Sequence, residues 1–213
     1  MFNIDDLTEL PRHDAKEIMK KLERRGIYLL LSSIKEDICN IEEAIVLSWS
    51  DKETAKKTPL YFLIDSQGGE ALEGWSIYNK IRNYPGPTIG VVLGKAYSIA
   101  FLILQACKFR FALPGTYGLI HSIRIDKKIT AYNAEEIESV VKRVARLTEE
   151  MLMELHEKTG MPIEELNTLA KIDNTFNLSH YGTAFIDATI RLVPPFNPLP
   201  DEWLAKIEES MKA

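Results

Sequence analysis

The chain has only two cysteines, Cys39 and Cys107, far apart and each among apolar neighbours. A disulfide framework or a cysteine metal site needs patterned pairs, so this spacing points instead to two reduced core thiols in a cytoplasmic protein. Excess positive charge is also absent. The 26 Lys and Arg against 31 Asp and Glu leave a net charge of −5, the opposite of what a phosphate-tracking surface requires. The basic run Lys16 to Arg25 is interleaved with apolar residues and reads as a solvated helix face. No apolar run reaches the ~20 residues that span a bilayer. The acidic start, Met1-Phe2-Asn3-Ile4-Asp5-Asp6, lacks a signal-peptide pattern. Internal repeats and low-complexity tracts are missing as well. The expectation is a cytoplasmic protein with neither nucleic acid nor membrane as a partner.

What is present is an ordinary globular composition, 46% hydrophobic and 27% charged over 213 residues. That length suits one domain with a sizeable core. Residues 1–12 read as a mobile arm, 13–193 as the domain and 194–213 as a tail with a short helix. Helical spacing covers Asp14 to Arg25 and Ile38 to Ser50, and Asp51 to Pro59 reads as a charged loop. The continuous apolar runs Ile27 to Leu31, Leu60 to Ile64 and Thr88 to Leu93 read as strands buried on both faces. Ala71 to Tyr84 is a helix between two of them, and Ile99 to Cys107 is a short helix apolar nearly all round. Strands alternating with helices predict an α/β fold with parallel strands and right-handed crossovers. Beyond it, Phe109 to Ala112 reads as a strand, and Ile123 to Thr130 as an exposed arm. A long amphipathic helix runs from Asn133 or Ala134 to Lys158, stopped by Gly160. A further helix spans Pro162 to Ala170, and Ala188 to Val193 is a last strand.

The chemistry concentrates at two strand-to-helix junctions. Ser98 stands between the run ending at Leu93 and the helix from Ile99, where backbone N–H groups are unpaired and the helix dipole favours negative charge. That position suits a nucleophile and the oxyanion it creates. It equally suits a plain helix cap. Gly68-Gly69 ends the preceding strand, and paired glycines there let a substrate approach the backbone; an ordinary turn would look the same. Consecutive parallel strands bring both junctions to the C-terminal edge of the sheet. Of the four histidines, His121 alone ends an apolar strand, while His13, His156 and His180 sit on helix faces or in loops. A Ser and a Gly-Gly on one edge favour His121 as a general base. Asp173, Asp187 and Asp65 are the carboxylates that could orient its ring, and spacing does not choose among them. A Ser-Lys dyad through Lys95, only three residues before Ser98, is the weaker arrangement.

These motifs resemble the ClpP family, the proteolytic subunits of the Clp protease, and the ClpP/crotonase fold more widely. Asp65-Ser66-Gln67-Gly68-Gly69 is similar to the family's N-S-P-G-G, and Gly94-Lys95-Ala96-Tyr97-Ser98-Ile99-Ala100 to its G-x-A-A-S-M-G. Lys108-Phe109-Arg110-Phe111-Ala112-Leu113-Pro114 is close to K-R-F-A-L-P-N, Ile120-His121 falls on I-H-Q-P, and Lys158-Thr159-Gly160 on H-T-G. The likeness runs from about His13 to Leu192. It implies a ClpP/crotonase-like βαβ superhelix with a projecting handle helix. It also implies a serine endopeptidase with Ser98 as nucleophile, His121 as base, Asp173 as the orienting carboxylate, and the Gly69 and Ile99 N–H groups as oxyanion donors. No metal or organic cofactor is implied. The partners implied are further copies in heptameric rings, a hexameric AAA+ unfoldase, and peptide or unfolded-protein substrates.

The departures are specific. Gln67 replaces a Pro, Ala100 replaces a Gly, and Ser122-Ile123-Arg124 replaces the loop that lines the family's substrate groove. A second reading is therefore a ring or scaffold subunit that kept the fold without the activity. An acyl-CoA enzyme of the crotonase type is a third, although no CoA-binding signal is evident.

Overall fold

The apolar runs become neighbouring strands. In the computed structural model, which describes residues 15–35, 45–46, 52–124, 133–172, 175–191, 193–197 and 199–212, β1 (Ile27–Leu30), β2 (Leu60–Ser66) and β3 (Thr88–Tyr97) pair in parallel. Two further parallel strands, β4 (Phe109–Ala112) and β7 (Ala188–Thr189), complete the order β1-β2-β3-β4-β7 of a seven-stranded sheet. The short β5 (Tyr117–Leu119) pairs with β3 and, antiparallel, with β6 (Phe176–Asn177). Helix α1 (Ala15–Glu23) precedes β1, α2 (Lys52–Lys57) precedes β2, and α3 (Ala71–Arg82) joins β2 to β3. Helix α4 (Ile99–Ala106) follows β3, and its eight residues are all buried. A helix apolar all round has no solvent face to offer, so it lies in the interior.

The long helix, α5 (Ala134–Thr159), has 26 residues, about 39 Å at 1.5 Å per residue. Asn133 starts it with a reciprocal cap: its side chain accepts from the Glu136 N–H at 2.8 Å while Glu136 accepts from the Asn133 N–H at 2.9 Å. Gly160, at φ 71°, stops it because a left-handed residue ends a helix most cheaply as glycine. Helix α6 (Ile163–Ile172) comes next, and α7 (Asp201–Ser210) closes the chain. The chain divides into two compact units, Met1–Gly118 with Phe176–Ala213, and Leu119–Thr175. The first holds the parallel strands and α4; the second holds α5 and α6. Among the described residues no helix is long and apolar enough to cross a membrane.

Three expectations change. Strand β3 runs on to Tyr97 rather than ending at Leu93. The segment Asp51 to Pro59 is not all loop: 52–57 is helical, with Glu53 in the first turn, Lys56 and Lys57 in the last, and Ala55 buried. Those charges complement the helix dipole, which a reading of the run as merely charged overlooks. The last strand shortens to Ala188–Thr189. The C-terminal segment carries the short helix read from the sequence, and it is packed. Trp203 meets Phe111 edge-on with centroids 5.2 Å apart, and Leu199 and Ile207 join the core cluster of Leu63, Val91 and Phe111. The arm 1–12, Cys39, most of Ile38 to Ser50 and most of Ile123 to Thr130 lie outside the described residues.

Candidate active site

The turn after β2 is built by its own hydroxyl and by a distant stretch of backbone. The buried Ser66 donates to the Ser32 carbonyl at 2.5 Å and accepts from the Gly68 N–H at 3.1 Å. The Ile34 N–H and the Ser33 hydroxyl both donate to the Gly68 carbonyl, at 2.9 and 3.3 Å, and the Glu70 N–H donates to the Ile34 carbonyl at 2.8 Å. Gly69 therefore lies flush against Ile34, where a Cβ would sit 2.0 Å from the Ile34 carbonyl oxygen. A trans peptide points its C=O and N–H in opposite directions. With the Gly68 carbonyl turned to Ile34, the Gly69 N–H turns away from it. Among the described residues that N–H has no acceptor.

Ser98 joins β3 to α4 at φ 57° and ψ −129°, the only positive φ of a non-glycine residue among those described. Such a conformation costs on the order of 1–3 kcal/mol and persists only where the surroundings enforce it. Here the enforcement is α4. Ile99, Phe101, Leu102, Ile103 and Leu104 are all buried, and each such side chain contributes ~1.5–3 kcal/mol by leaving water, well above the cost of one strained residue. A sharp strand-to-helix turn of this kind exposes the hydroxyl of a nucleophile. The hydroxyl of Ser98 makes no capping hydrogen bond, so the plain-cap reading fails. Its carbonyl accepts from the Phe101 and Leu102 N–H groups at 3.0 and 3.4 Å, which leaves the Ile99 N–H without an acceptor among the described residues. Two unpaired amides, on Gly69 and Ile99, thus flank the two junctions.

Tyr97 precedes Ser98 and is half-buried. Burial, then the neighbouring Tyr117 and the Asp65 charge, hold its hydroxyl above the ordinary phenol pKa, so it stays protonated at neutral pH.

The competing carboxylates are spent elsewhere. Asp187 accepts from the Arg110 N–H at 2.7 Å and from its guanidinium at 3.0 Å. Asp65 accepts from the Lys95 N–H at 3.2 Å, and the Lys95 ammonium lies 3.8 Å from the same oxygen. That contact also turns Lys95 toward a carboxylate, against a Ser-Lys dyad. Asp173 lies outside the described residues.

His121 belongs to the second unit. Its Nδ1 lies 2.6 Å from the Ser122 carbonyl oxygen. A carbonyl only accepts, so Nδ1 donates to it, and Nε2 is the ring nitrogen left to act as a base. His156 contacts the Met161 carbonyl at 2.7 Å, and His180 sits in a 3₁₀ turn. The same unit has a groove of about 620 Å³ lined by Val141, Val144, Leu152, Met153 and Ile163, among others.

The brace at Ser32, Ser33 and Ile34 was not visible as part of the site in the sequence. It acts through backbone groups and the Ser33 hydroxyl, more than 30 positions from the turn it holds, and no motif marks it. Among the described residues no three His, Cys, Asp or Glu side chains gather as a metal site. Residues 11–184 match the family model described as Clp protease.

Proposed function

The chain belongs to the Clp protease family, and from that premise we propose that it is a serine endopeptidase that cleaves peptide bonds by acyl transfer through Ser98. The observation that carries this reading is the strained Ser98 elbow, whose hydroxyl makes no cap hydrogen bond, flanked by the Gly69 and Ile99 amides, which have no acceptor among the described residues. In the reaction, the Ser98 Oγ attacks the peptide carbonyl and His121 Nε2 takes its proton. The Gly69 and Ile99 N–H groups stabilise the resulting oxyanion, a contribution of about 10²–10³ in rate per donor. Collapse expels the amine, which leaves with the proton from His121. Water, activated by the same imidazole, then releases the acyl group from Ser98. Asp173 is the carboxylate that orients His121 in this reading, on the strength of the family resemblance.

The assembly rests on the same premise. The proposal is a cytoplasmic homo-oligomer of heptameric rings enclosing the sites, working on peptides and unfolded proteins supplied by an AAA+ unfoldase. On α5, the exposed Ile137, Val141 and Met153 support burial of that helix against further copies of the chain.

One observation favours the silent-subunit reading: among the described residues, the partner of His121 Nδ1 is the Ser122 carbonyl and no carboxylate. A fluorophosphonate separates the two. Intact mass should show one adduct on the parent protein and none on Ser98→Ala, and His121→Ala should slow its formation by about 10²–10⁴. A folded, oligomeric parent with no adduct would sink the peptidase proposal in favour of the silent subunit. Native mass of the same sample tests the rings.

A further inference from the structure

The pairing of β2 with β3 falls out of step just before Ser98. Ile64 lies opposite Val92, but Ser66 lies opposite Ala96. A single residue of β2, Asp65, therefore faces three of β3: Leu93, Gly94 and Lys95. An irregularity of this kind bends the strand that carries it and re-aims the residues beyond the bend. Beyond it β3 continues to Tyr97, and β3 also pairs with β5. On the β2 side the irregularity takes backbone groups of β3 out of the ladder, and these must be satisfied in some other way.

Asp65 satisfies one of them. Its Oδ1 accepts from the Lys95 N–H at 3.2 Å, with the Lys95 ammonium 3.8 Å away. The fit is close. A Cβ built on Gly94 would lie 2.8 Å from Asp65 Oδ1 and 3.1 Å from the carboxyl carbon, so the carboxylate fills the space that a side chain at position 94 would take. On its own strand Asp65 stands three residues before Gly68. Through Lys95 it is linked to a point three residues before Ser98. One side chain thus ties the strand leading to the oxyanion glycines to the strand leading to the nucleophile.

We propose that Asp65 is a positioning residue for Ser98: it clasps the irregular end of β3 and so holds the Ser98 elbow in register with the Gly68-Gly69 turn. The proposal rests on Ser98 being the nucleophile. The part that matters is the acceptor for the Lys95 N–H. The two charged side chains are 42% and 44% exposed, and an ion pair that open to solvent contributes little. Asn in place of Asp65 keeps an acceptor oxygen; Ala does not.

The test uses the whole chain in the assembly it forms in solution. Two quantities are read: the rate constant for fluorophosphonate modification of Ser98, and amide hydrogen exchange across residues 93–99. Asp65→Ala should slow modification by about tenfold to a hundredfold, the scale of a small misplacement at a reacting centre, and should speed exchange across 93–99. Asp65→Asn and Lys95→Met should stay close to the parent in both. Gly94→Ala leaves Asp65 in place but sets a methyl against its carboxylate, so it should reproduce the Ala phenotype, and it decides the matter if Asp65→Ala does not fold. Parental rate and exchange in the folded Asp65→Ala, or an Asn variant as impaired as the Ala variant, would overturn the clasp. If the parent serine does not react at all, the peptidase reading is what fails. Exchange alone then judges the clasp: faster in Asp65→Ala and restored by Asn upholds it, and unchanged exchange overturns it.

Discussion

Gly68 lies against Ser98 so closely that a Cβ built on the glycine would sit 2.7 Å from the Ser98 Cβ and 2.7 Å from the Tyr97 carbonyl oxygen. The φ of Gly68 is +90°, so a side chain there is strained as well as blocked. The two strand-to-helix junctions meet at this pair. Gly68→Ala should therefore push the turn and the elbow apart. The expected result is a fall of about 10²-fold in Ser98 modification by fluorophosphonate, with a stability loss of about 1–3 kcal/mol in denaturant melts. A reactive serine in a folded Gly68→Ala protein would show that the contact is incidental.

The strain at Ser98 has its own signature. Replacing Ser98 by Gly removes the penalty of positive φ, whereas Ala retains it. Ser98→Gly should be the more stable of the two, by up to about 1–3 kcal/mol, less about 0.4–1 kcal/mol for the greater freedom of glycine in the unfolded chain. Paired thermal melts of the two variants measure this directly. Equal melting temperatures would mean that the elbow stores no strain.

Arg110 and Asp187 anchor a buried polar cluster in the first unit. Besides Asp187, the guanidinium donates to the Gln105 side chain at 2.7 Å and to the Ala184 carbonyl at 3.3 Å, and Gln105 donates to the Phe185 carbonyl at 3.1 Å. Arg110 is 8% exposed, so it cannot turn to water if its carboxylate is removed. Asp187→Ala should cost about 3–5 kcal/mol, read as an early unfolding midpoint in urea. A loss under about 1 kcal/mol, the ordinary range for a surface pair, would place Asp187 among the expendable charges.

Alkaline stability should depend on Tyr28. Its ring is buried and stacks on Phe62 with centroids 5.2 Å apart. Burial first, then the nearby Tyr84 and Glu23, raise its pKa well above the ordinary phenol value of 10.0. The native protein then holds a proton that the unfolded chain releases, so stability is full below pH ~10 and declines as pH rises beyond it. Tyr28→Phe removes a proton that can be lost, and it should flatten that decline in chemical melts between about pH 9 and 11. An unchanged alkaline slope would assign the decline to other groups.

Much of the fold was legible in the sequence because buried parallel strands and a buried helix leave an unbroken apolar signal. Ile27 to Leu30, Phe109 to Ala112 and the helix from Ile99 fall where the residue pattern puts them. Asn133 and Gly160 bound the long helix because their caps are local chemistry. The packing of the C-terminal helix was not legible, since Trp203 and Ile207 find their partners on strands far earlier in the chain.

For the site, the residues and the structure answered different questions. The sequence by itself determined the types and the order: a serine and a glycine pair at successive strand-to-helix junctions, and a histidine two strands further on. Those come from local rules of turns, caps and burial, which act within a few residues. Only the tertiary structure decided that Ser98 is strained rather than a cap, and that Gly68 touches it. It also decided that Asp187 serves Arg110 and that Asp65 serves the backbone of Lys95. The physical reason is range. A φ angle enforced by a buried helix, or a carboxylate drawn to an unpaired amide 30 residues away, depends on which strands lie side by side, and no residue pattern within either segment carries that information.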